Sequence, residues 1–233
     1  MGDVRKRPVW VAGVVAVVVI AVVAVFVAVG SGDSRSKPFS YSVNEARLRC
    51  TGPSFLPQAA AKKLLGEPPP KDWREVQSLP ESVFADTEYV EIHLRPGTEK
   101  SVTFKRIRFH VRHLRPQKGD LVYPSCYEMV PGWWIATDFD ETPPEFAITN
   151  FPQETHLVHL PWTVSVKAPR TIYLVADSSK CVCAWRAEIP WVSGTQHGTI
   201  EVAEGSKDFE IVHSGGGIPK YIAGKDGWTL SRP

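Results

Sequence analysis

Residues Val9 to Val29 form an unbroken run of Val, Ala, Ile, Phe and Trp with one Gly and no charge. As a helix the run measures about 31 Å at about 1.5 Å per residue, which matches the hydrocarbon thickness of a bilayer. Arg5, Lys6 and Arg7 precede it, whereas Asp33, Arg35 and Lys37 make a weaker, mixed cluster after it. The positive-inside bias therefore keeps the N-terminus cytoplasmic and exports the remainder of the chain. Pro8 suits a first helical turn, and Trp10 suits a membrane interface. Ala28-Val29-Gly30 has the small residues of a signal-peptidase site. The apolar core of a cleaved signal is only about 7–15 residues, however, so an uncleaved anchor is expected. The expected organisation is a basic cytoplasmic tail over 1–8, a transmembrane helix over 9–30, a Gly/Ser/charged linker over 31–38 and an extracytoplasmic domain over 39–233, at the plasma membrane.

Charge narrows the partners. The chain carries 27 Lys+Arg and 25 Asp+Glu, and setting aside Arg5, Lys6, Arg7 and Asp3 leaves 24 of each. A domain without net charge has no bulk field to recruit nucleic acid, so none is expected as a partner. Its length is enough to bury a core without metal or many disulfides, and no cofactor is expected. All four cysteines, Cys50, Cys126, Cys181 and Cys183, lie beyond the span, where disulfides persist. Two bridges are expected, with three connectivities open.

Along the chain, Ala59 to Gly66 has helix-forming residues stopped by Gly and by Pro68-Pro69-Pro70, which predicts about two helical turns. It is the one good helix candidate beyond the span. Val90 to Leu94 alternates, and Pro96-Gly97 marks a turn. Ser101 to Leu114 reads as a long strand with Val102 and Phe104 on one parity and Ile107, Phe109 and Val111 on the other. That slip predicts a β-bulge at Lys105-Arg106. Trp133 to Phe139, Thr163 to Lys167 and Thr171 to Ala176 are further strands. In the clearest alternation, Cys181, Cys183, Trp185, Ala187, Ile189 and Trp191 share one face, with Arg186 and Glu188 opposite. Ser193 to Gly198 is expected to turn into a strand over Thr199 to Ala203, and Asp208 to Val212 is the next. Many short strands with turn signals between them predict an all-β, sandwich-like domain with one short helix.

Several constellations could carry chemistry. Cys181 and Cys183 share a strand face. The spacings of zinc sites and Cys-x-x-Cys motifs are absent, so structural bridges to Cys50 and Cys126 are expected ahead of redox or metal chemistry. His110/His113 and His156/His159 have a spacing that chelates zinc on a helix, but on a strand residues three apart face opposite ways. Arg106, Arg108, His110 and Arg112 would form a cationic outer face if Ile107, Phe109 and Val111 are buried. That face reads either as a solvated strand guarded against edge pairing or as a surface for wall polymer, lipid headgroups or an acidic protein. Arg106, Arg108 and Arg112, together with Trp133 and Trp134, are the candidate binding residues. Asp138, Asp140 and Glu141 lack the ligand pattern of a calcium loop and read as a polar turn. Ser214-Gly215-Gly216-Gly217 lacks the Lys-Ser/Thr of a phosphate cradle. No nucleophile elbow, dinucleotide fingerprint or kinase set appears, and no catalytic residue is nominated.

The stretch Cys183-Ala-Trp185-Arg-Ala-Glu188-Ile189-Pro-Trp191-Val-Ser193-Gly194, with Gly198 closing the turn, resembles membrane-anchored proteins of actinobacteria. The resemblance covers the anchor and roughly the last hundred residues. It implies a Val/Ala-rich single span and an exported β-rich domain ending in a Cys-x-Trp strand and hairpin, and it supplies no activity or site residue. Pro190 departs from that pattern and puts continuous pairing of the strand in question. The expected function is a membrane-anchored interaction or sensing module. The rival is a cell-envelope enzyme, either a hydrolase without a linear motif or a thiol-disulfide protein using Cys181 and Cys183. A deep pocket with convergent carboxylate or His groups would favour the enzyme, and a flat or shallow aromatic and basic surface the binder.

Overall fold

The computed structural model describes residues 38–46, 52–97, 101–125, 131–141, 145–151, 154–158, 160–165, 170–215 and 217–231, all within the compact unit Lys37–Pro233. The expected tail, anchor and most of the linker lie outside the described residues, as do Cys50, Cys126 and His159. No helix among the described residues is long and apolar enough to cross a membrane.

The described chain is all-β apart from two short helices. The first strands are β1 (Phe39–Glu45), β2 (Ser54–Pro57), β3 (Val83–Ala85), β4 (Thr87–Pro96), β5 (Val102–Phe104) and β6 (Arg108–His113). Next come β7 (Gly119–Tyr123), β8 (Gly132–Asp138), β9 (Glu145–Phe151), β10 (Glu154–Val158), β11 (Trp162–Val164) and β12 (Arg170–Asp177). The last are β13 (Cys183–Ser193), β14 (Gln196–Val202), β15 (Phe209–Val212), β16 (Lys220–Gly224) and β17 (Gly227–Ser231). Helix α1 (Gln58–Leu65) matches the expected two turns, and the one-turn α2 (Arg74–Gln77) was not legible. Both lie between β2 and β3. Lys62 and Lys63 sit in the last turn of α1, where cations suit the carbonyl end. Its Ala61, Leu64 and Leu65 pack on Leu56, Trp73 and Val122.

One sheet has the order β1-β4-β12-β8-β9-β10. The other runs β11-β5-β13-β15-β3-β2-β7-β16-β17, with β14 and β6 also paired to β13. Pairing is mostly antiparallel, but β8–β12, β3–β15 and β7–β16 are parallel. Alternation decides the buried faces. Val90, Ile92 and Leu94 of β4 and Ile172, Leu174 and Ala176 of β12 meet Phe104, Trp185, Ala187, Ile189 and Ile200 of the other sheet in one core. Each large aliphatic side chain fully buried there contributes roughly 1.5–3 kcal/mol.

Strand β13 is the spine of the larger sheet. On one side it pairs with β15 and then β14, and on the other with β6 and then β5. The expected strand over Ser101 to Leu114 is therefore interrupted, yet the extra residue falls where the parity slip put it. Between the Phe104–Trp191 and Arg108–Glu188 pairs, Lys105, Arg106 and Ile107 stand opposite only Ile189 and Pro190. This explains why Pro190 does not break β13. Its carbonyl accepts Lys105 N at 3.2 Å, so its missing N–H faces the same interrupted side, where no ladder donor is needed.

Two expectations are corrected. The hairpin turn after β13 is Gly194-Thr195, with Gly194 at φ +58°, so β14 begins at Gln196. Gly198 lies within β14 opposite Trp191, and a Cβ there would come within 2.7 Å of that ring. Second, Cys181 and Cys183 are bonded to each other, with Cα atoms 5.5 Å apart, rather than to Cys50 and Cys126. Cys181 and Val182 precede β13, and the chain there draws the two Cα atoms closer than the span of two residues in a regular strand, within bridging distance.

Glu88 shares its parity with Val90 and points into the core, wholly buried. Trp185 Nε1 donates to its Oε2 at 2.5 Å, and its Oε1 has no hydrogen-bond partner among the described residues. Burial holds the carboxyl well above the usual range, opposed by the Trp185 hydrogen bond and reinforced by Glu45, Glu204 and Glu210. A folded-state pKa raised above the unfolded value means stability is fully present at low pH and lost as pH rises from about 4 through the folded value. Glu88→Gln should therefore be less sensitive to alkali. In urea melts it is expected to exceed the parent by about 1 kcal/mol or more at pH 8 and to lose that advantage at pH 4. Parallel pH dependence in the two proteins would assign the effect elsewhere.

Candidate functional site

The cystine lies where β6, β13 and the loop after β12 meet. Register places Cys183 between His113 of β6 and Ile211 of β15, and Leu114 N donates to Val182 O at 2.7 Å. His113 thus shares a face with Cys183, its Nδ1 3.8 Å from Cys183 Sγ. The ring nitrogen and both sulfurs lie within 4.8 Å of one another. His113 is exposed, Cys181 is 5% exposed and Cys183 is fully buried. His110, three residues earlier, points to the opposite face and lies 3.5 Å from Glu188.

The loop that carries Cys181 is held by one carboxylate. Asp140 accepts hydrogen bonds from Ser178 Oγ at 2.7 Å, Ser179 N at 2.9 Å, Ser179 Oγ at 2.6 Å and Lys180 N at 3.2 Å. Ser178 Oγ in turn accepts Cys181 N at 3.0 Å and lies 3.3 Å from Cys181 Sγ. Partial burial pushes Asp140 up, but these donors outweigh it and bring the carboxyl down to about 2. The expected polar turn is therefore an anchor for the cystine loop. A depressed folded pKa gives stability that is present above about pH 4 and lost as pH falls through about 2. Asp140 is partly exposed, so screening limits the effect. Asp140→Ala is expected to lose on the order of 1 kcal/mol at pH 7 in thermal melts, with the gap closing toward pH 2.

The bridge itself adds little to the fold. In the loop-entropy account, closing a ring across one intervening residue is worth roughly 1.5 kcal/mol, against about 3 for a ring of 15 residues. The chain already holds Cys181 and Cys183 together.

The basic strand faces outward as its parity requires. Arg106, Arg108, His110 and Arg112 are exposed, while Ile107 is buried. Carboxylates interleave with these cations: Arg108 lies 3.9 Å from Glu188 and Arg112 3.6 Å from Asp208. Beside them is an open recess of about 560 Å³, bordered by Arg112, Arg186 and Lys207 and by Glu45, Glu204, Asp208 and Glu210. This face carries both signs of charge. Of the candidate arginines, Arg112 alone borders the recess.

Trp133 and Trp134 point to opposite faces of β8, in the other sheet, and are only partly exposed. The Trp133 ring packs 5.2 Å from Trp162, and Trp134 lies 5.8 Å from both Tyr89 and Tyr173. The two tryptophans and the arginines therefore do not share one surface.

Linear reading weighed His113 only with His110, because its relation to Cys183 is a cross-strand register and the two are far apart in sequence. The usable signal was that β6 ends on His113 while the alternating strand begins at Cys183. Glu88 was passed over, its parity hidden in a strand read only from Val90. Compared with known proteins, the chain matches no family model, no curated sequence and no solved structure.

Proposed function

We propose that this chain is a membrane-tethered, extracytoplasmic β-sandwich that works as an interaction module and receives a polar protein surface in the charged recess between Arg112, Arg186 and Lys207. The observation that carries the reading is the recess itself, whose border carries three cations and four carboxylates. An amphoteric border suits a partner of matching mixed charge better than a uniform polyanion, because like charges brought together cost more than opposite charges gain at an exposed rim. The tether rests on the apolar run Val9 to Val29 and its basic N-terminal flank.

The test places a photoreactive residue at Lys207 of the full chain in native membranes, with a second at Leu230, an exposed side chain on β17, as control. Lys207 is expected to give a discrete protein adduct that Leu230 does not. Arg112→Glu with Arg186→Glu should abolish it, and raised salt should weaken it, since exposed charge attraction is screened within about 8 Å at physiological ionic strength. Absence of an adduct, or an adduct indifferent to the charge reversals, would overturn the proposal.

A further inference from the structure

Beyond that binding role, we propose that the Cys181–Cys183 disulfide is a reversible redox couple, and that its reduced dithiol forms with His113 a three-ligand site for Zn²⁺. The donor set carries the choice of ion: two thiolates and an imidazole are the soft and borderline ligands zinc takes, and three protein ligands leave one position open.

The geometry is close to that of the loaded site. Zinc holds sulfur at about 2.3 Å and nitrogen at about 2.0–2.1 Å, so a tetrahedral centre separates a sulfur and a nitrogen ligand by about 3.6 Å. Cys183 Sγ and His113 Nδ1 are 3.8 Å apart. Reduction frees the two sulfurs to move apart to a similar separation, with both side chains still on one face of the chain. The frame does not depend on the bridge. His113 is held opposite Cys183 by the β6–β13 pairing and by Leu114 N on Val182 O. Cys181 is held through Ser178 by Asp140.

The redox step needs an external dithiol. One donor thiolate attacks Cys181 Sγ, the more exposed sulfur; an S–S bond forms to the donor, and the Cys181–Cys183 bond breaks. Cys183 leaves as a thiolate facing His113 and takes up a proton. The donor's second thiol then displaces Cys181, so the donor departs as a disulfide and two electrons and two protons remain on the cysteines. Zinc binding releases those two thiol protons.

The experiment uses the full chain in detergent, either oxidised or reduced with a water-soluble phosphine and freed of metal. Each form is titrated with Zn²⁺ against a chromophoric chelator. The reduced chain is expected to take up one equivalent and the oxidised chain none. Cys181→Ser should abolish uptake, and His113→Ala, at an exposed position, should weaken it at least about tenfold. Cobalt(II) added to the unsubstituted reduced chain should give thiolate-to-metal charge transfer in the near ultraviolet, a readout that needs no variant to fold. Equal uptake by the oxidised chain, uptake that survives Cys181→Ser, undiminished affinity in His113→Ala, or no charge-transfer band would each overturn the assignment.

Discussion

The indole of Trp185 joins the two sheets, and much of the molecule is arranged around it. It rises from β13 without any exposure and is ringed by Phe139 at 5.5 Å, Phe209 at 5.1 Å and Phe109 at 6.2 Å. Its one polar atom reaches Glu88 on the opposite sheet. An indole N–H left unpaired in such a place would forfeit about 1–3 kcal/mol, so the buried acid opposite it has a structural use. The same contact offsets part of the cost of holding a carboxyl at the core of the fold, since the Trp185 hydrogen bond opposes the upward push that burial exerts on Glu88.

From Trp185 the structure runs in two directions along β13. Toward Cys183 the strand meets β6 and β15, and side-chain chemistry collects at the rim: two sulfurs, an imidazole and a loop tied to Asp140. Toward Trp191 it meets β5 and β14, and the contents are apolar. On the reverse face of the same strand, Arg186 and Glu188 belong to the charged surface. A single alternating segment thus supplies the core, the rim and the outer face, each by parity.

Parity is also why so much of this was legible. The 181–191 alternation, the two-turn helix and the slip at Lys105-Arg106 are local patterns, and each left its mark in the chain at the position where the structure uses it. What was hidden is non-local. The parallel neighbours β8–β12, β3–β15 and β7–β16 join segments whose spacing carries no pairing signal, and very short strands such as β3 hold too few residues to show a period. The cystine differs from expectation because counting cysteines favours long-range bridges, whereas the chain before β13 departs from the extended strand and draws Cys181 up to Cys183. Trp133 and Trp134 looked like exposed adjacent aromatics, but strand geometry sends neighbours to opposite faces and each found rings to pack against.

The single extra residue between β5 and β6 acts as a phase shift in a two-beat code. Before it, the even-numbered Val102 and Phe104 face the core; after it, the odd-numbered Ile107, Phe109 and Val111 do, with the exposed His113 continuing their parity at the rim. Shortening the segment by one residue would leave the composition almost unchanged and every later strand intact. It would nevertheless swing Arg108, His110 and Arg112 against Trp185 and carry His113 away from Cys183. In this chain, length at one three-residue stretch holds information that no individual side chain there carries. Substitutions at Lys105 and Arg106 should be tolerated far more readily than an insertion or deletion beside them.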